Sequence, residues 1–362
     1  MDQAITDKVL FFIPDISGYT KFVSETEISH SQHVIKGLLE VLVDSNTIGL
    51  KVSEFEGDAI LFYRHGAPPP LGDFVEQARR MFVGFHTLLK KIELSRICQC
   101  GACAGASGLT LKIVAHLGPA GELKVKEQSK FIGTGIIVAH RLLKNSVPER
   151  EYLLLTRELL GLSGNAGGDP GLFMDGVDRY DEIGDVPYQY MSLGRFREEV
   201  KVQPPEPFVV KNPCTVMEVS RRIDAPAAVV FETLTDLPGR MKWVDGIRRV
   251  ELHDDRPNRI GAVHRCVLSG GDLDLVTSDV RITDQTMEYA ETDIRRMTSC
   301  RYLLQKTPAG GTDLAMQFLV RGNFVVKLMF KTFREKKLRA GFEKSLANLA
   351  ALCEQSGRPA PV

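Results

Sequence analysis

Two apolar runs that each meet an aspartate limit what this chain can fold into. The first reads Val9-Leu-Phe-Phe-Ile-Pro-Asp15-Ile-Ser-Gly18-Tyr-Thr20, an apolar run that ends at a carboxylate with a short turn after it. The second, Leu50-Lys-Val-Ser-Glu54-Phe-Glu-Gly57-Asp58-Ala-Ile-Leu-Phe-Tyr63, reads as two strands joined at Glu56-Gly57, with Asp58 opening the second. Short apolar runs bounded by turn residues are the pattern of buried strands. If these strands lie side by side, Asp15 and Asp58 converge at one end of a sheet. Two carboxylates there repel unless a cation sits between them, which points to a magnesium site for a phosphate-bearing ligand.

Helices fill the intervals. Lys21 to Leu50 carries Val34, Ile35, Leu38, Leu39, Val41 and Leu42 at helical spacing, and Phe74 to Glu93 is a second amphipathic segment after the break at Ala67-Pro-Pro-Pro70. Ser17-Gly18-Tyr19-Thr20 turns a strand into a helix, so its backbone N–H groups either meet a phosphate or simply cap the helix. Cys98, Cys100 and Cys103 are close enough to hold zinc if a fourth ligand is found, His116 being the candidate if its strand folds back; otherwise they are free thiols in a loop. Leu109 to Gly118 is a further strand, and a helix opens at Gly133.

At these residues a resemblance enters. Asp-Ile-Ser-Gly-Tyr-Thr and Glu-Gly-Asp-Ala-Ile-Leu resemble the two metal-binding motifs of class III adenylyl and guanylyl cyclases, here of the divergent DUF2652 type. Lys130-Phe-Ile-Gly133-Thr-Gly-Ile-Ile137-Val-Ala139-His-Arg141 resembles that family's next signature. The resemblance implies a ferredoxin-like α/β sandwich and magnesium or manganese on Asp15, Ile16 and Asp58. It implies phosphate contacts from Ser17, Gly18, Tyr19 and Thr20, base contacts from Glu54 and Lys130, and Arg141 as the catalytic arginine on a nucleoside triphosphate. It also implies a head-to-tail homodimer, with aspartates from one subunit and the arginine from the other.

The match is incomplete. Ile137 stands where the family has asparagine, and Ile183, near Tyr180-Asp-Glu-Ile-Gly184, stands where it has a phosphate-binding lysine. Glu54 with Lys130 is neither standard base-reading pair. Guanine recognition and a surface salt bridge both remain open for it. A cyclase and an inactive pseudocyclase that only binds its ligand are therefore both consistent with the chain.

Val202-Gln-Pro-Pro-Glu-Pro207 marks a linker over 194–213, so the domains read as 1–193 and 214–356, with a tail at 357–362. After it come a strand, short helices with Asp224 as helix cap and Pro226 in the first turn, six more strands and a long helix from Lys327 to Glu354. With Ile-Asp-Ala-Pro-Ala-Ala-Val-Val-Phe and Trp243, this resembles the polyketide-cyclase-like and START-like helix-grip superfamily, which implies a cavity for an apolar small molecule, with Trp243 either lining its mouth or packed in the core. The whole is an α+β chain. Formal net charge is +0 over 362 residues, which gives no general attraction to nucleic acid. No apolar run is long enough for a transmembrane segment, and the 7 cysteines are too unevenly spaced for a disulfide framework, so the expected location is the cytoplasm.

Overall fold

The computed structural model describes residues 8–24, 28–97, 105–164, 169–253, 258–268, 271–322, 325, 328 and 335–356. Two compact units form. The first comprises residues 1–93 and 100–203, the second residues 94–99 and 204–362. The thiols Cys98, Cys100 and Cys103 lie outside the described residues, and so does most of the stretch from 323 to 334.

The first unit opens with β1 (Lys8–Ser17), α1 (Tyr19–Ser24), α2 (Ile28–Asp44), β2 (Lys51–Glu56), β3 (Ala59–Arg64), α3 (Leu71–Ser95) and β4 (Thr110–Pro119). The β5 (Gly121–Val125) and β6 (Gln128–Ile132) ribbon follows, then α4 (Thr134–Arg141), β7 (Tyr152–Thr156), α5 (Arg157–Leu162), β8 (Met174–Tyr180) and β9 (Gly184–Ser192). The sheet order is β2-β3-β1-β4-β7-β9-β8, with β4 and β7 parallel and the other pairs antiparallel. Strand, helix, two strands, helix, strand in the order β2-β3-β1-β4 is the ferredoxin-like arrangement the sequence predicts.

Strand alternation distributes β1 between two cores. Leu10, Phe12 and Ile16 pack with Leu38, Leu42, Phe74, Phe82 and Phe85 of α2 and α3. Val9, Phe11 and Ile13 pack on the other face with Ile136 and Ala139 of α4. Asp15 falls on the α4 side of this alternation. α4 crosses β4 closely, and a Cβ built on Gly135 comes within 2.7 Å of the Gly118 carbonyl carbon. Gly133, which starts the helix at φ 128, is in a region side chains other than glycine rarely occupy.

Residues 194–199, assigned to the linker by their charge, are instead a 3₁₀ turn on the first unit. Phe196 is buried in the core there. Arg197 donates to Glu151 and to His86 Nδ1 and lies over the Phe82 ring at 5.1 Å. The predicted helix over residues 21–50 is also shorter, divided between α1 and α2.

The second unit runs β10 (Pro213–Ile223), α6 (Ala227–Thr235), β11 (Ile247–Leu252), β12 (Val263–Leu268), β13 (Gly271–Ile282), β14 (Thr286–Asp293), β15 (Thr298–Lys306), β16 (Thr312–Arg321) and α7 (Glu335–Ser356). All pairs are antiparallel in the order β10-β16-β15-β14-β13-β12-β11. Leu346, Leu349, Ala350 and Cys353 of α7 are buried against Val230, Phe231, Tyr289, Leu304 and Met316. This sheet and its terminal helix form the helix-grip fold. Asp224 does not cap α6. The N-cap is Pro226, which makes no side-chain cap bond, and the Asp224 backbone N–H instead donates to Glu354 Oε1 at 3.2 Å.

Candidate functional site

Asp15 and Asp58 do come together. Asp15 sits opposite Ala59 in the β1–β3 ladder, and the Ile16 N–H donates to the Asp58 carbonyl at 3.0 Å. Burial, and then the Asp15 charge, push the Asp58 carboxyl above its ordinary range, against its own backbone N–H and Lys112. The cation beside the pair is a side chain. Lys112 faces Asp15 directly in the β1–β4 register, and its Nζ lies 2.9 Å from Asp15 Oδ2. The same ammonium donates to the Leu143 carbonyl at 2.8 Å.

This arrangement does not fit the magnesium or manganese expected on Asp15, Ile16 and Asp58. A divalent ion on Asp15 would sit within a few ångströms of a fixed ammonium and be repelled by it.

Glu54 and Lys130, expected to read the base, and Arg141, expected as the catalytic arginine, gather in a cleft of about 590 Å³, which the expected phosphate residues Ser17 to Thr20 do not line. It is lined by Glu54, Glu56, Lys130, Phe131, Ile136, Ile137, His140, Arg141 and Lys144 among others. Lys130 Nζ lies 3.2 Å from Glu54 Oε2, with 63% and 35% of the two side chains exposed. The salt-bridge reading of that pair is thus realised, and it is realised inside the cleft. At such exposure it contributes roughly 0.2–1 kcal/mol, little enough for a ligand to replace. His140 Nδ1 lies 3.5 Å from Glu56 Oε2, and burial raises the Glu56 carboxyl in spite of that histidine. Arg141 is exposed, and Ile137 turns 48% of its surface outward where the resemblance calls for a polar side chain. Asp15 and Asp58 do not line this cleft.

Other expected residues fall elsewhere. In the Ser17-Gly18-Tyr19-Thr20 turn, the Gly18 carbonyl accepts the Phe22 N–H at 3.0 Å, the first bond of α1. Tyr19 lines a separate groove of about 760 Å³ with Val23, Ile35, Leu39, Val43 and Phe55, apart from Arg141. Ile183 packs beside Tyr180 and Tyr188. His116 is 4% exposed, its Nδ1 is 3.0 Å from Thr156 Oγ1, and burial lowers its pKa to about 4. Of the two places open to Trp243, the cavity mouth and the core, it takes the core, with 2% of its surface exposed.

Sequence reasoning missed Lys112, Glu56 and His140 in the first unit, and a buried polar cluster in the second. Arg240 donates to Glu291 Oε1 at 2.6 Å, and both side chains are 3% exposed. Tyr289 donates to the same carboxylate oxygen at 2.6 Å. Burial disfavours the Glu291 charge, yet Arg240 and the Tyr289 hydroxyl hold its carboxyl below the usual range. Arg240 also donates to His264 Nε2 at 2.9 Å, which leaves the imidazole proton on Nδ1. Burial lowers the His264 pKa to about 4, so it is neutral at pH 7. Arg240 Nε, Trp243 Nε1 and His264 Nδ1 are sealed from solvent without a protein partner.

Two α+β domains are thus defined, one ferredoxin-like with a charged cleft, the other of the helix-grip class. Comparison with known proteins matches a family model to part of each. Residues 35–152 match the family described as Protein of unknown function (DUF2652), and residues 215–354 match Polyketide cyclase / dehydrase and lipid transport. The Uncharacterized protein Rv2561/Rv2562 of Mycobacterium tuberculosis is 35% identical over 119 residues, 33% of this chain. The match spans 55% of that relative's length, about half. Solved structures similar to the chain include the adenylyl cyclase CyaB from P. aeruginosa, 16% identical, covering 51% of this chain and 94% of that one, with a TM-score of 0.35. The guanylate cyclase domain of RhGC from Catenaria anguillulae in complex with GTP is 18% identical, covers 52% and 97%, and has a TM-score of 0.34. No helix among the described residues is long and apolar enough to cross a membrane.

Proposed function

We propose that the first unit is a nucleotide-binding module that takes a purine nucleoside triphosphate in the cleft of Glu54, Lys130 and Arg141. The observation that carries this reading is the composition of that cleft. Lys130, Arg141 and Lys144 supply three cations for phosphate, Phe131 and Ile136 supply apolar surface for a base, and Glu54 supplies an acceptor matched to guanine N1 and N2. Ligand binding without cyclisation is favoured, because Ile137 and Ile183 stand where polar side chains are needed and Lys112 holds Asp15.

The second unit is proposed to bind an apolar small molecule and to bias the first, making the chain a signalling protein. Its match to a family described by lipid transport supports this. The first unit is proposed to act as a homodimer. One copy keeps the carboxylate pair out of the cleft, and Phe55, Leu123, Val125, Ile132 and Ile137 expose 47% to 60% of their surfaces.

A second reading, nucleotide cyclisation with a divalent ion, is supported by the convergence of Asp15 and Asp58 and by exposed Arg141. It requires Lys112 to leave Asp15. Incubation with each of the four ribonucleoside triphosphates and manganese, followed by mass spectrometry, separates the two. The favoured reading expects no cyclic product. A product lost in Asp58→Ala establishes the second.

A further inference from the structure

We propose that Lys112 is a built-in counter-ion for the Asp15–Asp58 carboxylate pair, a tethered ammonium in the place of a metal. Three observations carry it. First, the pairing is written into the sheet: Asp15 and Lys112 are direct partners in the antiparallel β1–β4 ladder, so their Cβ atoms are about 5 Å apart on one face. Second, the ammonium is held at two points, Asp15 Oδ2 at 2.9 Å and the Leu143 carbonyl at 2.8 Å. Third, the contact is inside the protein, with 18% of Lys112 and 14% of Asp15 exposed. A lysine stem normally carries its charge out to water, so an ammonium kept this far in answers a local negative charge.

The consequence concerns ions. Two carboxylates and one ammonium leave a single negative charge, half of what a divalent cation would meet without the lysine. An ion that takes Asp15 Oδ2 must also displace Lys112 from it. The wild-type chain therefore binds divalent ions weakly at this pair, and Lys112 is the reason. Removing the ammonium while keeping the aliphatic stem unmasks a two-carboxylate site.

The test is manganese alone, titrated into the full chain without nucleotide and followed by loss of the free-ion electron paramagnetic resonance signal. Lys112→Met is expected to bind manganese at least about tenfold more tightly than wild type. Lys112→Met with Asp58→Asn is expected to return to the wild-type value, and Lys112→Arg to stay there. If Lys112→Met does not fold, Lys112→Gln serves in its place, with folding checked by circular dichroism. Wild type binding manganese as tightly as the lysine-free variant overturns the proposal, as does no added binding in either variant. Because no nucleotide is present, a failure of nucleotide binding in the cleft leaves this result unaffected.

Discussion

Arg240 and Glu291 meet at 2.6 Å in the middle of the second unit, each with 3% of its side chain exposed. They come from a 3₁₀ turn and from β14, 51 residues apart in the chain. Buried pairs of this kind are costly to break from one side, because the remaining charge stays desolvated and unpaired.

Glu291→Ala is therefore expected to destabilise the second unit by about 3–5 kcal/mol. Arg240→Met combined with Glu291→Leu is expected to cost less than Glu291→Ala alone, because no buried charge is left behind. Urea unfolding followed by fluorescence reads this directly, since Trp243 is the chain's one tryptophan and lies in the same core.

The same core predicts an acid sensitivity. His264 has its pKa lowered to about 4 by burial, against an unfolded value of 6.5. Between those values the unfolded chain takes up the proton and the folded one does not. The stabilisation is fully present above pH 6.5 and is lost as pH falls toward 4, by up to about 3 kcal/mol. His264→Gln, whose side-chain oxygen can accept from Arg240, is expected to flatten the pH 4.5–7 dependence of the Trp243 unfolding midpoint. An unchanged slope contradicts the assignment.

Gly135→Ala tests how the cleft is held. The added Cβ meets Gly118 backbone atoms at 2.7–2.9 Å, where no flexible side chain can yield. A loss of about 1–3 kcal/mol is expected in the first unit, and α4 moves with Arg141 at its end. Hydrogen exchange over residues 134–141 should accelerate, and nucleotide affinity should fall with it.

Much of the fold was legible in the sequence, and for a clear reason. Strands half-buried on one face alternate, so residues 298–306 and the start of β16 at Thr312 are readable within a residue or two. The α7 stripe of Leu338, Phe342, Leu346, Leu349 and Leu352 likewise packs on the sheet as its spacing implies. The convergence of Asp15 and Asp58 followed from motif order. Lys112 was not legible as their partner, because cross-strand register across 97 residues leaves no local mark. Arg240, His264, Tyr289 and Glu291 escaped for the same reason: they come from a 3₁₀ turn, β12 and β14, three segments that meet only through the folded sheet. Residues 194–199 misled because Arg197, a charge that suggests a linker, is matched by Glu151 and His86.

Arg141 is exposed and lines the cleft, so its removal should touch binding and not folding. Arg141→Ala is expected to leave the melting temperature unchanged and to weaken triphosphate binding about tenfold, the loss of one charge-assisted contact. Calorimetric titration and a thermal melt on the same sample check both halves.

The central claim is that the first unit binds a purine nucleoside triphosphate and needs no divalent ion to do so. Calorimetric titration of GTP and ATP into the full chain in the presence of EDTA tests it most directly. Saturable binding of at least one of them is expected, retained in Asp58→Asn and weakened in Arg141→Ala. Absence of binding in EDTA, with binding restored by manganese and lost in Asp58→Asn, would contradict it.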